Sequence, residues 1–186
     1  MSYIDYFFSS ISASAYLASN RFEEIVQKHK ATVVYKPFDA FSLFALTGGT
    51  PPAQGHPLRQ DYRLQELQRQ SKNKAPPITI KPQFFQTNVV PASYAIIAAQ
   101  ADGSGNIGAL VQSILRACWA EEKDIAKDEV IRDCLVQAGF DPDLTDRGLL
   151  FSAETYLANL EDAVISGVFG SPFYVVDNDA RFWGQD

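Results

Sequence analysis

The chain has 186 residues, of which 46% are hydrophobic, 12% aromatic and 20% charged, so it can bury a core and does not have the composition of a disordered chain. Its net charge is −6 and its pI is about 4.9, with no cluster of lysine and arginine, which argues against nucleic acid or an anionic membrane surface as a partner. No apolar segment approaches the length of a membrane span and no basic region precedes the apolar N-terminal run, so we expect a cytoplasmic protein.

The N-terminal stretch predicts a strand, a tight turn and a helix. Residues 3–8 are aromatic and β-branched, and a group of small hydroxyl residues follows them. Apolar residues at helical spacing, Phe22 and Ile25 among them, then predict a helix over residues 14–28 with one buried face. Ser12 lies just before this helix. Its hydroxyl there either caps the helix or, with the free N–H groups of the first turn, meets a bound anion.

A second strand is predicted over residues 32–38, parallel to the first because a whole helix lies between them. A short helix, residues 40–46, follows it. The next segment, residues 47–57, is rich in glycine and proline, so we expect a loop with room for a ligand.

The middle of the chain is predicted to be helical. The clearest helix begins at Ile107 and ends at Trp119, because its apolar residues keep helical spacing without a miss. In the last helix we expect five apolar residues to be buried: Tyr156, Leu157, Leu160, Ala163 and Val164. The segment at residues 72–91 is predicted to be irregular, and the helices are predicted over residues 58–71, 92–100, 107–119, 128–138 and 152–166.

The C-terminal stretch predicts a loop, a strand, a turn and a returning strand. The loop runs from Gly167 to Pro172, and the returning strand occupies residues 181–186. An X-Pro bond directly before an apolar strand is a place where a cis peptide can occur, and the bond between Ser171 and Pro172 stands at such a place.

Cysteine and histidine do not suggest a catalytic or metal site of their own. Cys118 and Cys134 lie on apolar helix faces and form no Cys-x-x-Cys pair, so we expect both to be buried and structural. His29 and His56 are the only histidines and neither is near a cysteine or carboxylate at ligand spacing, so no metal site is predicted. A Ser-His-Asp triad is disfavoured because Ser12 lacks a Gly-x-Ser-x-Gly elbow.

The order of these motifs resembles the family of 2-hydroxychromene-2-carboxylate isomerases and kappa-class glutathione transferases. The resemblance implies an α/β fold: a thioredoxin-like domain formed by residues 1–45 and 165–186, with an inserted all-helical domain at residues 46–164. The matching residues span almost the whole chain and comprise Ile4-Asp5-Tyr6-Phe7-Phe8, Ser12 with Tyr16-Leu17, Lys36-Pro37-Phe38, Thr47-Gly48-Gly49-Thr50-Pro51-Pro52, Pro82-Gln83-Phe84-Phe85, Trp119 with Asp124-Ile125, Gly167-Val168-Phe169-Gly170-Ser171-Pro172 and Phe182-Trp183-Gly184-Gln185-Asp186.

The resemblance implies glutathione as cofactor and a small aromatic carboxylate as substrate. Ser12 matches the serine that donates a hydrogen bond to the glutathione sulfur, which stabilises the thiolate. In the isomerases, the thiolate adds to the chromene ring, the ring opens, a carbon–carbon bond rotates, and elimination releases the product and glutathione. The resemblance leaves a homodimer open.

Further ligand-binding positions follow from the resemblance one at a time. Ser171 would offer its backbone to the cysteinyl backbone of glutathione, with Pro172 in the cis form. Gln185 and Asp186 would receive the γ-glutamyl group. Arg59 would bind a carboxylate of glutathione or of the substrate, although a solvated helix arginine is an equally good interpretation.

The sequence departs from the family at three places. Ala13 and Ser14 replace a proline and a tyrosine at the turn, which makes Ser14 an alternative to Ser12 as the working hydroxyl. Gly49 occupies a ligand-binding position where the family has asparagine. The family continues into a terminal helix beyond Asp186, so we expect that helix to follow in a longer chain or to have been lost. The alternatives to the isomerase are a kappa-type transferase and an inactive protein that binds a small acid or a partner.

Overall fold

The computed structural model describes residues 2–72, 76–177 and 179–185. Within those ranges it contains four strands, seven α-helices and two short 3-10 turns. The strands are β1 (Tyr3–Phe8), β2 (Thr32–Pro37), β3 (Phe173–Val176) and β4 (Ala180–Trp183). The helices are α1 (Ala13–His29), α2 (Ala40–Thr47), α3 (Pro57–Gln70), α4 (Val90–Asp102), α5 (Ile107–Trp119), α6 (Asp128–Gln137) and α7 (Leu149–Ile165), and the 3-10 turns are Pro52–Gln54 and Pro142–Thr145.

The four strands form one mixed sheet in the order β2-β1-β3-β4. β1 and β2 pair in parallel, with α1 as the crossover, and Tyr6 lies opposite Tyr35. β3 pairs antiparallel with both β1 and β4. The strand from the far end of the chain therefore lies directly beside the first strand, which brings Ser171 next to the turn that follows β1.

The sheet is covered on both faces, because alternate β1 side chains point to opposite sides. Tyr6 faces α1, and its ring centroid lies 4.7 Å from that of Phe22. Phe7 faces the other side, where it shares a small buried cluster with Phe38 and Ala163 from α7. All four of these aromatic side chains are at most 8% exposed, so the central strand is buried on both faces.

The inserted helices pack against the sheet through one continuous apolar cluster. Leu110, Ile114 and Leu115 of α5 are almost completely buried and belong to the same cluster as Tyr6. The Gln100 side chain at the end of α4 accepts a hydrogen bond from the Tyr35 backbone N–H at 2.8 Å and donates one to its carbonyl at 3.1 Å. The predicted domain seams fall within α2, at residue 45, and at the last residue of α7.

The buried face of α7 agrees with the prediction in part. Tyr156 and Ala163 are buried and Leu160 is partly buried, but Leu157 is 63% exposed and Val164 is 39% exposed. The inward positions include the polar Asn159, whose side-chain amide donates to the Pro37 carbonyl at 2.9 Å. Apolar spacing along the helix could not identify Asn159, because a buried polar group becomes favourable only when a partner elsewhere in the chain satisfies it.

Both cysteines are buried without a disulfide, as predicted. Burial raises the pKa of Cys118 to about 12 and also raises the pKa of Cys134, so neither thiol ionises at neutral pH. Among the described residues, no helix combines the length and the hydropathy that a bilayer span requires.

Candidate functional site

The turn between β1 and α1 is fixed by the inserted helices. The Ser10 and Ser93 hydroxyl oxygens lie 2.9 Å apart, and the Trp119 indole donates to the Ile11 carbonyl at 3.2 Å. Ser93 already donates to the Val89 carbonyl at 2.9 Å, so Ser10 is the donor in the serine pair. The turn therefore has a defined backbone position, which a site at its surface needs.

Ser12 connects this turn to the far end of the chain. It is the N-cap residue of α1, and its hydroxyl accepts from the Ala15 N–H at 3.2 Å. The same hydroxyl donates to the Ser171 carbonyl at 3.2 Å, and the Ser171 hydroxyl accepts from the Ser9 N–H at 2.9 Å. The capping interpretation of Ser12 is thus confirmed, and the hydroxyl also touches the backbone group that was predicted to bind a ligand.

The first turn of α1 retains unpaired donors. Among the described residues, the backbone N–H groups of Ala13 and Ser14 have no acceptor, and these positions lie at the positive end of a 17-residue helix. An anionic atom next to Ser12 would therefore meet both a hydroxyl and the helix dipole.

A cavity of about 380 Å³ opens over this helix end. Most of its wall is apolar and is provided by α2 and by residues 85–90. The charged side chains among the described lining residues are Asp39 and Arg63. The lining residues are Ser9, Ile11, Ser12, Ala13, Ser14, Asp39, Ala40, Phe41, Phe44, Pro52, Ala53, Arg63, Phe85, Gln86, Thr87, Asn88, Val89, Val90, Tyr156 and Ser171.

Hydrogen bonds hold the wall formed by residues 85–90. The Thr87 hydroxyl donates to the Asp124 carboxylate at 2.5 Å, and the Ala126 N–H donates to the same carboxylate at 3.0 Å. These bonds lower the pKa of Asp124, the Thr87 bond most strongly. Asp124 therefore remains charged near neutral pH and keeps this segment in place.

Arg63 enters the cavity wall from α3. Its guanidinium carbon lies 5.6 Å from the centroid of the Phe85 ring, and its side chain forms no ion pair with a carboxylate of the described residues. Burial lowers the pKa of the guanidinium, which still stays protonated at any physiological pH.

Tyr156 enters from α7 and is 6% exposed. Its hydroxyl has no hydrogen-bond partner among the described residues. Burial raises its pKa most, and the nearby Asp39 carboxylate raises it further, so the hydroxyl stays protonated. Asp39 itself is engaged in capping α2, where it accepts from the Phe41 N–H at 3.0 Å and from the Ser42 hydroxyl at 2.6 Å.

Two of the predicted site residues, Ser12 and Ser171, line this cavity together. Pro172 follows directly, is buried, and is joined to Ser171 by a cis peptide bond, as predicted. Ser14 also lines the cavity, so the structure keeps both candidate hydroxyls at the site.

Other predicted positions lie elsewhere. Arg59 and Gly49 are exposed and do not line the cavity. A Cβ at Gly49 would come within 2.6 Å of the Phe44 ring, which explains the glycine by close packing. Gln185 lines a separate groove of about 270 Å³ between α1 and the β3–β4 hairpin, and Asp186 lies outside the described residues.

Local sequence patterns do not identify Arg63 or Tyr156 as site residues. Arg63 lies one helical turn after Arg59, so the two share a face of α3, and this spacing is the signal that could point to it. Tyr156 has the spacing of a core residue, and what distinguishes it is that its hydroxyl has no partner among the described residues. No group of three or more potential metal ligands occurs in the described part of the chain, and no cysteine lines the cavity.

Comparison with known proteins agrees with this architecture. Residues 3–186 match the family model described as a DSBA-like thioredoxin domain. A 2-hydroxychromene-2-carboxylate isomerase of Sphingobium xenophagum is 24% identical over 98% of this chain and 92% of the relative. One of Pseudomonas putida is 25% identical over 98% of this chain and 89% of the relative. The solved structure of a 2-hydroxychromene-2-carboxylate isomerase superposes with a TM-score of 0.81 at 21% identity, over 99% of this chain and 89% of the other.

Proposed function

Because the chain belongs to the DSBA-like thioredoxin domain family, we propose that it uses this cavity as a glutathione-dependent isomerase of the 2-hydroxychromene-2-carboxylate isomerase type. Its substrate is a small aromatic carboxylate. The protein works in the cytoplasm, where glutathione is abundant and reduced.

One observation carries this proposal. The Ser12 hydroxyl, the unpaired N–H groups at the start of α1 and the Ser171 carbonyl meet at one wall of a cavity that has no cysteine. A thiol–disulfide oxidoreductase needs its own reactive thiol at this helix end. In this protein the free N–H groups and the helix dipole lie beside a serine instead of a cysteine. They can therefore stabilise a thiolate only if a ligand supplies it.

Each group has a defined role toward such a ligand. In the proposed complex the Ser12 hydroxyl turns its one proton from the Ser171 carbonyl to the thiolate sulfur, which stabilises the charged form and lowers the thiol pKa, and the α1 dipole acts in the same direction. The Ser171 carbonyl accepts from a backbone N–H of the ligand in a strand-like pairing. The residues therefore fit the cysteinyl part of glutathione.

When bound, glutathione would supply a thiolate nucleophile for reversible addition to a carbon of the substrate, which requires no change of oxidation state. The apolar wall formed by Phe41, Phe44 and Phe85 accommodates an aromatic ring and excludes water from it. Thr87 and Asn88 offer polar contacts at the same wall.

The test combines binding with turnover. Calorimetric titration with glutathione should give a one-to-one isotherm, and S-methylglutathione, which cannot form a thiolate, should bind more weakly. Conversion of 2-hydroxychromene-2-carboxylate, followed by chromatography, should require glutathione. A glutathione conjugate accumulating as product would favour a kappa-type transferase. No glutathione binding at all would refute the proposal and support an inactive scaffold.

A further inference from the structure

Among the described residues, Arg63 is the only cation in the cavity lining, and no carboxylate of these residues forms an ion pair with it. The one carboxylate in the lining, Asp39, uses both its oxygens to cap α2. Desolvating a guanidinium is unfavourable unless a partner with negative charge compensates. The protein therefore places an unpaired cation where a ligand binds.

Phe85 restricts which part of the Arg63 guanidinium can contact a ligand. The guanidinium lies over the ring at 5.6 Å from its centroid, which leaves the N–H edge as the part that can donate to a ligand. A planar guanidinium edge matches a carboxylate through two parallel hydrogen bonds. The aromatic side chain at its face also provides an apolar surface beside the bound group.

We propose that Arg63 is the specificity-determining residue of the cavity and binds a ligand carboxylate. This assignment rests on the proposed function only for the identity of the ligand, which is either the aromatic acid or the glycyl end of glutathione. Both offer the same chemistry to the Arg63 edge.

The experiment compares Arg63→Gln with Arg59→Gln, a matched control one turn earlier on α3 whose side chain is exposed and does not line the cavity. Arg63→Lys keeps the positive charge but lacks the planar guanidinium edge that forms two parallel hydrogen bonds with a carboxylate. Calorimetry measures binding of trans-cinnamate, of uncharged cinnamamide, of glutathione and of its glycyl monoethyl ester. Thermal unfolding of each variant verifies that it is folded.

The expected result is that Arg63→Gln weakens binding of one acid by about tenfold or more, that Arg63→Lys weakens it less, and that Arg59→Gln leaves it unchanged. Loss confined to cinnamate, with cinnamamide unaffected, identifies the aromatic acid as the source. Loss confined to glutathione, with the ester unaffected, identifies the glycyl end.

Two results would overturn the assignment. One is that Arg63→Gln and Arg59→Gln, both folded, bind cinnamate with equal affinity and also bind glutathione with equal affinity. The other is a wild-type protein that binds neither acid. Wild-type protein that binds cinnamate through Arg63 but shows no affinity for glutathione would instead refute the glutathione-dependent function and leave the role of Arg63 intact.

Discussion

Replacing Ser12 with alanine separates the two roles that the structure gives this hydroxyl. The variant loses the cap on the Ala15 N–H and the hydrogen bond to the Ser171 carbonyl, both 3.2 Å long in the wild type. Loss of an N-cap and of one neutral hydrogen bond should lower the free energy of unfolding by about 1 to 3 kcal/mol. Urea denaturation measures this change.

The same substitution should change the titration of bound glutathione. A hydrogen bond to a charged sulfur contributes on the order of 1.5 to 3 kcal/mol, which corresponds to about one to two pKa units. The thiol pKa should therefore rise by that amount in Ser12→Ala, because the thiolate loses its hydroxyl donor. Ultraviolet absorbance of the thiolate, followed against pH, measures the shift.

Ser14→Ala is the matched control. Ser14 lines the same cavity two residues further along, and its hydroxyl forms no hydrogen bond with the described residues, so the stability of this variant should change by no more than about 0.5 kcal/mol. An unchanged titration in Ser12→Ala together with a shifted one in Ser14→Ala would refute the assignment of Ser12. Unchanged titrations in both variants would mean that the α1 dipole alone stabilises the thiolate.

Three further predictions concern stability. Burial raises the pKa of Glu23 above its usual 4.5, more than its bond to Tyr35 lowers it, so the contribution of Glu23 to stability should be lost as the pH rises through the folded-state pKa. Urea melts at several pH values should show it as a stability difference between wild type and Glu23→Gln that changes with pH, because carboxylates with a lowered pKa, such as Asp124, contribute an opposite slope to both proteins. Tyr156→Phe should raise the free energy of unfolding by about 1 to 3 kcal/mol because it removes an unpartnered buried hydroxyl, and a lower melting temperature would contradict that reasoning. Leu115→Ala should cost about 2 to 5 kcal/mol, since Leu115 is 0% exposed, whereas Leu150→Ala, at a position 75% exposed, should stay within about 0.5 kcal/mol by the same assay.

Much of the fold could be predicted from local sequence. The aromatic run of β1, the hydroxyl cap at Ser12 and the apolar spacing of α5 each fix a local conformation through interactions a few residues apart. The cis bond between Ser171 and Pro172 was implied by the family resemblance, because an X-Pro bond is trans in most local sequences. The family resemblance, which the order of these elements carries, then implied a thioredoxin-like sheet with a helical insertion, and the structure confirms it.

The composition of the cavity required the tertiary structure. The contact between Ser12 and Ser171 joins residues 159 positions apart and exists only because β3 pairs with β1. Arg59 and Arg63 share a helix face, and only the packing of α3 decides that the second of them reaches the cavity. Gln185 reaches a separate groove on the α1 side of the sheet.

Whether a buried polar side chain finds a hydrogen-bond partner was also decided by the tertiary structure. Asn159 has a partner because α7 lies beside the Pro37 carbonyl, whereas the Tyr156 hydroxyl has none among the described residues. The sequence determined which segments form helices and strands, because those preferences arise from neighbouring residues. The tertiary structure alone decided which polar groups meet a partner and which remain available to a ligand, because that depends on where distant segments pack.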